Sequence, residues 1–145
     1  MMVGESFDLN EFTVSQTAAR AGIINNPPEE VINKLKEVYK VLYDYCKLSG
    51  KSVTITSGYR SPKVNKLVGG AKNSQHVLGE AADFIVPGVP VAEVVKQIRE
   101  FGIKFDQLID EFGSWVHISF RASGNRGEVL TARKVKGKTV YKKAV

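Results

Sequence analysis

The order of its elements places this sequence in the α+β class, with helices packed on a small, mostly antiparallel sheet. Three observations predict it. At 145 residues, with 43% hydrophobic and 25% charged side chains, the chain has material for one globular core and too little for several. Helical periodicity dominates its first part, whereas short apolar runs broken by glycine and proline dominate the rest. Two apolar-rich segments, 105–112 and 115–120, are separated only by Gly113-Ser114, which reads as a tight antiparallel hairpin.

Residues 13–22 predict a short helix capped near Thr13 or Ser15 and stopped by Gly22. Asn25-Asn26-Pro27-Pro28 is then a loop, and the acidic Glu29-Glu30 suits a helix start. Val31, Leu35, Val38, Leu42 and Tyr45 recur at three- and four-residue steps up to Gly50, the mark of a long amphipathic helix with one buried stripe. Residues 53–56 form a strand, broken by Ser57-Gly58-Tyr59-Arg60-Ser61-Pro62, and 62–68 read as a short helix closed by Gly69-Gly70. The segment 73–80 reads as a loop running into a second strand, 81–86, and Val91, Val94, Val95, Ile98 and Phe101 define another helix. After the hairpin, 129–141 predicts a ribbon turned at Lys136-Gly137-Lys138, with so little apolar content that we expect it to be mobile.

Charge is distributed unevenly. Of the 21 Lys and Arg and 15 Asp and Glu that give a net +6, the last 25 residues hold eight basic side chains against the single acid Glu128. The body is therefore near neutral and the basicity belongs to the end of the chain, an arrangement that suits an anionic partner or simply a solvated terminus. No apolar run approaches the ~20 residues of a membrane span, and the start of the chain has no secretory pattern. Synthesis in the cytoplasm is the expectation. Cys46 has no cysteine to pair with and is expected to pack as a small apolar residue.

Both histidines, His76 and His117, sit in segments with other polar residues. His76 is followed seven residues later by Asp83, and His117 alternates with Trp115 and Ser119 along a strand. A lone histidine on a sheet is more often a satisfied structural residue, yet two histidines and a carboxylate also match a catalytic zinc site with an open fourth position. If Phe112-Gly113-Ser114 is a three-residue turn, Glu111 pairs with Trp115, and the period of two puts Glu111, Trp115 and His117 on one face. Asp110, then on the opposite face, does not fit a clean buried pattern.

Ser57-Gly58-Tyr59-Arg60-Ser61-Pro62, Gly69-Gly70, the run Ser74 to Asp83 with its Ser-x-His-x-x-Gly-x-Ala-x-Asp pattern, and Trp115-Val116-His117-Ile118-Ser119 together resemble the zinc D-alanyl-D-alanine carboxypeptidase superfamily. The resemblance runs from about Phe12 to Thr131 and is nearest to the short murein peptidase branch of bacteriophages and bacteria, whose fold is shared with hedgehog signalling domains. It implies a hedgehog/DD-peptidase-like α+β fold over residues 1–123, followed by a basic tail at 124–145. It further implies one Zn²⁺ ligated by His76, Asp83 and His117, with Glu111 as the proton-transferring carboxylate and Arg60 holding the substrate carbonyl or a carboxylate. Ser74 and Tyr59 would contact substrate, while Gln107 or Ser119 would support the site from behind. In the larger members the catalytic acid lies three residues before the last histidine, where this chain has Ser114. Glu111, six residues before it, has the hedgehog spacing, a group that includes zinc binders without established peptidase activity.

The implied function is hydrolysis of peptidoglycan stem peptides, as a D-Ala-D-Ala carboxypeptidase or an L,D-type endopeptidase, by a monomer reaching the wall through a lysis pore or a phage particle. The alternative is a non-catalytic zinc-binding interaction domain of the same fold. Nucleic-acid binding, suggested by residues 14–23 and the basic end, is not expected, because Asn25-Asn26-Pro27-Pro28 interrupts a helix-turn-helix and the long helix has no basic face.

Overall fold

A computed structural model describes residues 3–144. Among them are six helices and six strands in the order α1 (Leu9–Thr13), α2 (Gln16–Ala21), α3 (Glu29–Ser49), β1 (Thr54–Ser57), α4 (Pro62–Leu67), α5 (Gln75–Leu78), β2 (Ala81–Ile85), α6 (Val91–Glu100), β3 (Gln107–Glu111), β4 (Trp115–Ser119), β5 (Glu128–Val135) and β6 (Lys138–Lys143). The α+β expectation holds. Ser15 caps α2 through a hydrogen bond from the Ala18 amide, Gly22 ends it in the left-handed conformation, and Gly50 ends α3 likewise. Pro28 stands at the N-cap of α3 rather than inside its first turn.

Two one-turn helices were not expected. Asp8 starts α1 by accepting the Asn10 amide, and Ser74 starts α5 by accepting the His76 amide. A segment of four or five residues carries no hydrophobic period, so only the capping side chain announces such a helix.

The strands form one sheet in the order β1-β2-β4-β3-β5-β6. Four of the five pairings are antiparallel, and β3 runs parallel to β5. The pleat gives this sheet two different faces. Phe84, Leu108, Val116 and Ile118 point to the helices and join Leu35, Val38, Leu42 and Tyr45 of α3 and Val94 and Ile98 of α6 in the core. Truncating one of these to alanine costs about 2–5 kcal/mol. Asp83, Ile109, Glu111 and His117 alternate with them and therefore occupy the opposite face.

The basic end of the chain continues the sheet as the ribbon β5–β6. Its arginines are tied to the body: Arg126 makes a bidentate contact with Asp106 at 2.8–3.0 Å, Arg121 approaches the same carboxylate at 3.3 Å, and Arg133 pairs with Asp110 at 3.0 Å. Asp110 is thereby explained, since its carboxylate also accepts the Gly113 amide of the hairpin turn. Among the described residues no helix is long and apolar enough to cross a membrane.

Candidate metal centre

The hairpin between β3 and β4 sets the first half of the site. Phe112 and Gly113 adopt left-handed φ values of 61° and 65°, the Ser114 amide closes the turn on the Glu111 carbonyl, and Glu111 comes to pair with Trp115. The expected three-residue turn and its face assignment are both present. A left-handed phenylalanine is unfavourable by about 1–2 kcal/mol. The hydrogen bond its N–H donates to the Ala132 carbonyl of β5 and an edge-to-face contact with Trp115, centroids 5.5 Å apart, hold it there.

The second half comes from α5 and β2. Asp83 is the register partner of His117 across the β2–β4 pairing, so its carboxylate and the His117 imidazole leave the sheet side by side. The Asp83 Oδ1 atom stands 2.9 Å from His117 Nδ1 and 3.3 Å from His76 Nε2. His76 is delivered by the single turn of α5, and its Nδ1–H donates to the Gly58 carbonyl at 2.7 Å, leaving Nε2 as the nitrogen with a free lone pair.

His76, Asp83 and His117 each offer one ligand atom, all within 4.8 Å of one another. A tetrahedral zinc ion with bonds of ~2.0–2.1 Å would separate its ligand atoms by roughly 3.3 Å, so this donor set fits the ion in both type and spacing. The charges of the cluster also act on one another. Although burial opposes it, the two imidazoles hold the Asp83 carboxyl far below the usual carboxylate range. For His117, burial would lower the pKa, but the adjacent Asp83 carboxylate outweighs it and the net shift is upward.

Glu111 lies beside this cluster, with Oε1 3.7 Å from His117 Nδ1 and accepting the Trp115 indole N–H at 3.2 Å. Burial first, and the Asp83 charge second, raise its pKa, which disposes the carboxyl to exchange a proton. Arg60 lines the same cleft, its Nη1 held 3.1 Å from Asn65 Oδ1 and its Nε buried without a partner. Burial lowers the guanidinium pKa.

The other expected contacts are divided. Ser74 lines the cleft with its hydroxyl already accepting the His76 amide, and Gln107 lines it while donating to Glu128 at 2.6 Å. Ser119 is fully buried and its hydroxyl accepts the Gln107 amide, a support from behind. Tyr59 is not brought to the cleft. It packs into the core at 5% exposure because its backbone amide is pinned to the Phe12 carbonyl.

A family model for peptidase M15 matches residues 5–119, a span that takes in Arg60, the three candidate ligands and Glu111 and stops before β5. The chain belongs to the peptidase M15 family. The M15 family is zinc-dependent, which accords with the donor set that His76, Asp83 and His117 present. No curated protein matches the sequence at a significant level.

This M15 family member also has cleft residues that the sequence did not reveal. Arg121, Arg126, Ile109, Leu130 and Tyr141 line a cleft of ≈ 520 Å³ together with Arg60, Glu111 and His117, a size within the ~300–1,000 Å³ of ligand sites. Only the pairing of the ribbon with β3 places the last two there. Alternation along 138–143 was the available signal, and it was masked by the lysines.

Proposed function

We propose that the protein is a zinc peptidase that hydrolyses peptide bonds of peptidoglycan stem peptides, as a D-Ala-D-Ala carboxypeptidase or an L,D-type endopeptidase. The observation that carries this reading is Glu111, a half-buried carboxylate with a raised pKa set 3.7 Å from a candidate ligand nitrogen and outside the ligand set itself. A carboxylate in that position is placed to move a proton beside the metal.

His76, Asp83 and His117 would hold the zinc ion, which when bound would supply Lewis acidity, lowering the pKa of water towards ~7 and polarising a carbonyl. Glu111 accepts the proton of the attacking water and delivers it to the leaving amine, a role its raised pKa favours in both directions. Arg60, steadied by Asn65, donates to the carbonyl oxygen as negative charge develops there. The exposed Lys136, Lys138, Lys142 and Lys143 of the ribbon add an attraction for an anionic wall.

The test is mass spectrometry of muropeptides digested with and without a chelator, alongside Glu111→Ala. New amino termini that disappear on chelation, return with zinc and are absent with the zinc-loaded variant support the reading. Stoichiometric zinc without any released amino group would favour a binding domain instead.

A further inference from the structure

The register of the sheet draws a row of side chains across the site. Trp115 pairs with Glu111, Glu111 with Ala132 of β5, and Ala132 with Tyr141 of β6. Residues paired in this way project from the same face, so Tyr141 stands on the face that carries the metal cluster, two strands beyond Glu111. At ~4.8 Å per strand that is roughly 10 Å between their backbones. The residue between them is alanine, which is fully buried and has no side chain beyond Cβ to obstruct an aromatic ring reaching towards Glu111.

The neighbouring row on the same face runs Asp83, His117, Ile109, Leu130. Ile109 and Leu130 thus make an apolar floor beside the polar cluster, and both line the cleft with Tyr141. The phenol feels the site. Partial burial raises its pKa, and the charges of Glu111 and Asp83 raise it further. Yet the residue is 54% exposed, so a ligand in the cleft would cover it. Leu130 and Tyr141 both lie beyond residue 119, where the family match ends.

We infer that the β5–β6 ribbon is the second wall of the substrate cleft and that Tyr141 is a substrate-contacting, specificity-determining residue, packing its ring on the peptide over Leu130 and offering its hydroxyl to the peptide backbone. An extended peptide with an apolar side chain next to the scissile bond fits this wall: the side chain meets Ile109, Leu130 and the tyrosine ring while the carbonyl lies between Arg60 and the metal cluster. The inference rests on the peptidase reading above.

The test uses the full chain, zinc-loaded, with the muropeptide that the wild-type protein cleaves fastest. Tyr141→Ala is expected to lower kcat/KM about tenfold or more, mainly through KM, with zinc stoichiometry and thermal midpoint unchanged. Tyr141→Phe should restore the part due to the ring, and relative rates on tri-, tetra- and pentapeptide muropeptides should change in both variants. Val140→Ala, the preceding residue on the same strand and on the opposite face, should leave the kinetics as they are. Should Tyr141→Ala fail to fold, Tyr141→Leu keeps an apolar strand residue and takes its place. Cleavage by the wild type with kcat/KM of the Ala or Leu variant within twofold overturns the inference alone. No cleavage by the zinc-loaded wild type overturns the peptidase reading and the inference with it.

Discussion

The carbonyl of Gly58 accepts the Nδ1–H of His76 at 2.7 Å. A carbonyl can only accept, so this one contact fixes the tautomer of the ring and turns Nε2 towards Asp83. Gly58 itself cannot be replaced without moving that carbonyl, because an added Cβ would stand 2.8 Å from the Phe12 Cα, backbone against backbone. Gly58→Ala is therefore expected to weaken zinc binding by about 10–100-fold although residue 58 is not a ligand. Competition with a chromogenic chelator measures it, and an affinity within twofold of wild type would show that the ring is oriented by something else.

Zinc should also stabilise the fold through the cluster. An ion bound only by the folded chain contributes RT ln(1 + [L]/Kd), or ~2.7 kcal/mol at a hundredfold excess over Kd, which for a domain of this size is roughly 5–10 °C in thermal midpoint. The gain should vanish in His117→Ala and in Asp83→Ala, since each variant removes one of three donors. A persisting gain in either would place the ion elsewhere.

The parts of this site read from the sequence were those decided by local chemistry. The turn at Phe112-Gly113-Ser114 set the pairing of Glu111 with Trp115, and the period of two then carried His117 to the same face. The approach of Asp83 to His117 rests on pairing between residues 34 apart in sequence, which spacing alone does not determine and which the resemblance supplied. Tyr141 and Leu130 depend on a parallel pairing of β5 with β3, and periodicity contains no information about which strand a ribbon joins. Tyr59 marks the converse limit: an aromatic residue next to Arg60 invited a cleft assignment, whereas Tyr59 lies beyond the end of β1 with its amide pinned on Phe12 and its ring in the core.

Glu111 is adjacent to the metal cluster without belonging to it, so its loss should separate binding from turnover. Glu111→Gln is expected to retain one zinc per chain and to lose about 10²–10⁴-fold in kcat, the usual contribution of a positioned proton-transfer group. Trp115→Phe removes the indole N–H that bonds Oε1 at 3.2 Å while keeping an aromatic ring beside Phe112, and a smaller loss should follow. Zinc content by elemental analysis and kcat on a purified muropeptide distinguish the two variants. Loss of zinc from Glu111→Gln would instead make this carboxylate a ligand.

Asp106 holds the ribbon to the body, and its charge should make that attachment sensitive to acid. The carboxylate is fully buried, accepts both the side chain and the backbone amide of Arg126, and takes a further bond from Gln75 at 3.1 Å. The Arg126 hydrogen bonds lower its pKa from 3.8 to about 2. A carboxylate with a depressed pKa in the folded chain contributes its full stability above the unfolded value and loses it as pH falls through the folded value. A shift of this size corresponds to roughly 2 kcal/mol, reduced to about 1–2 kcal/mol because the Arg126 side chain is half exposed. Asp106→Asn should accordingly be less stable than wild type by about that amount in urea unfolding at pH 7, and the gap should narrow between pH 4 and pH 2. A gap that stays constant over that range would mean that hydrogen-bond geometry at Asp106, rather than its charge, fastens the ribbon beside the cleft.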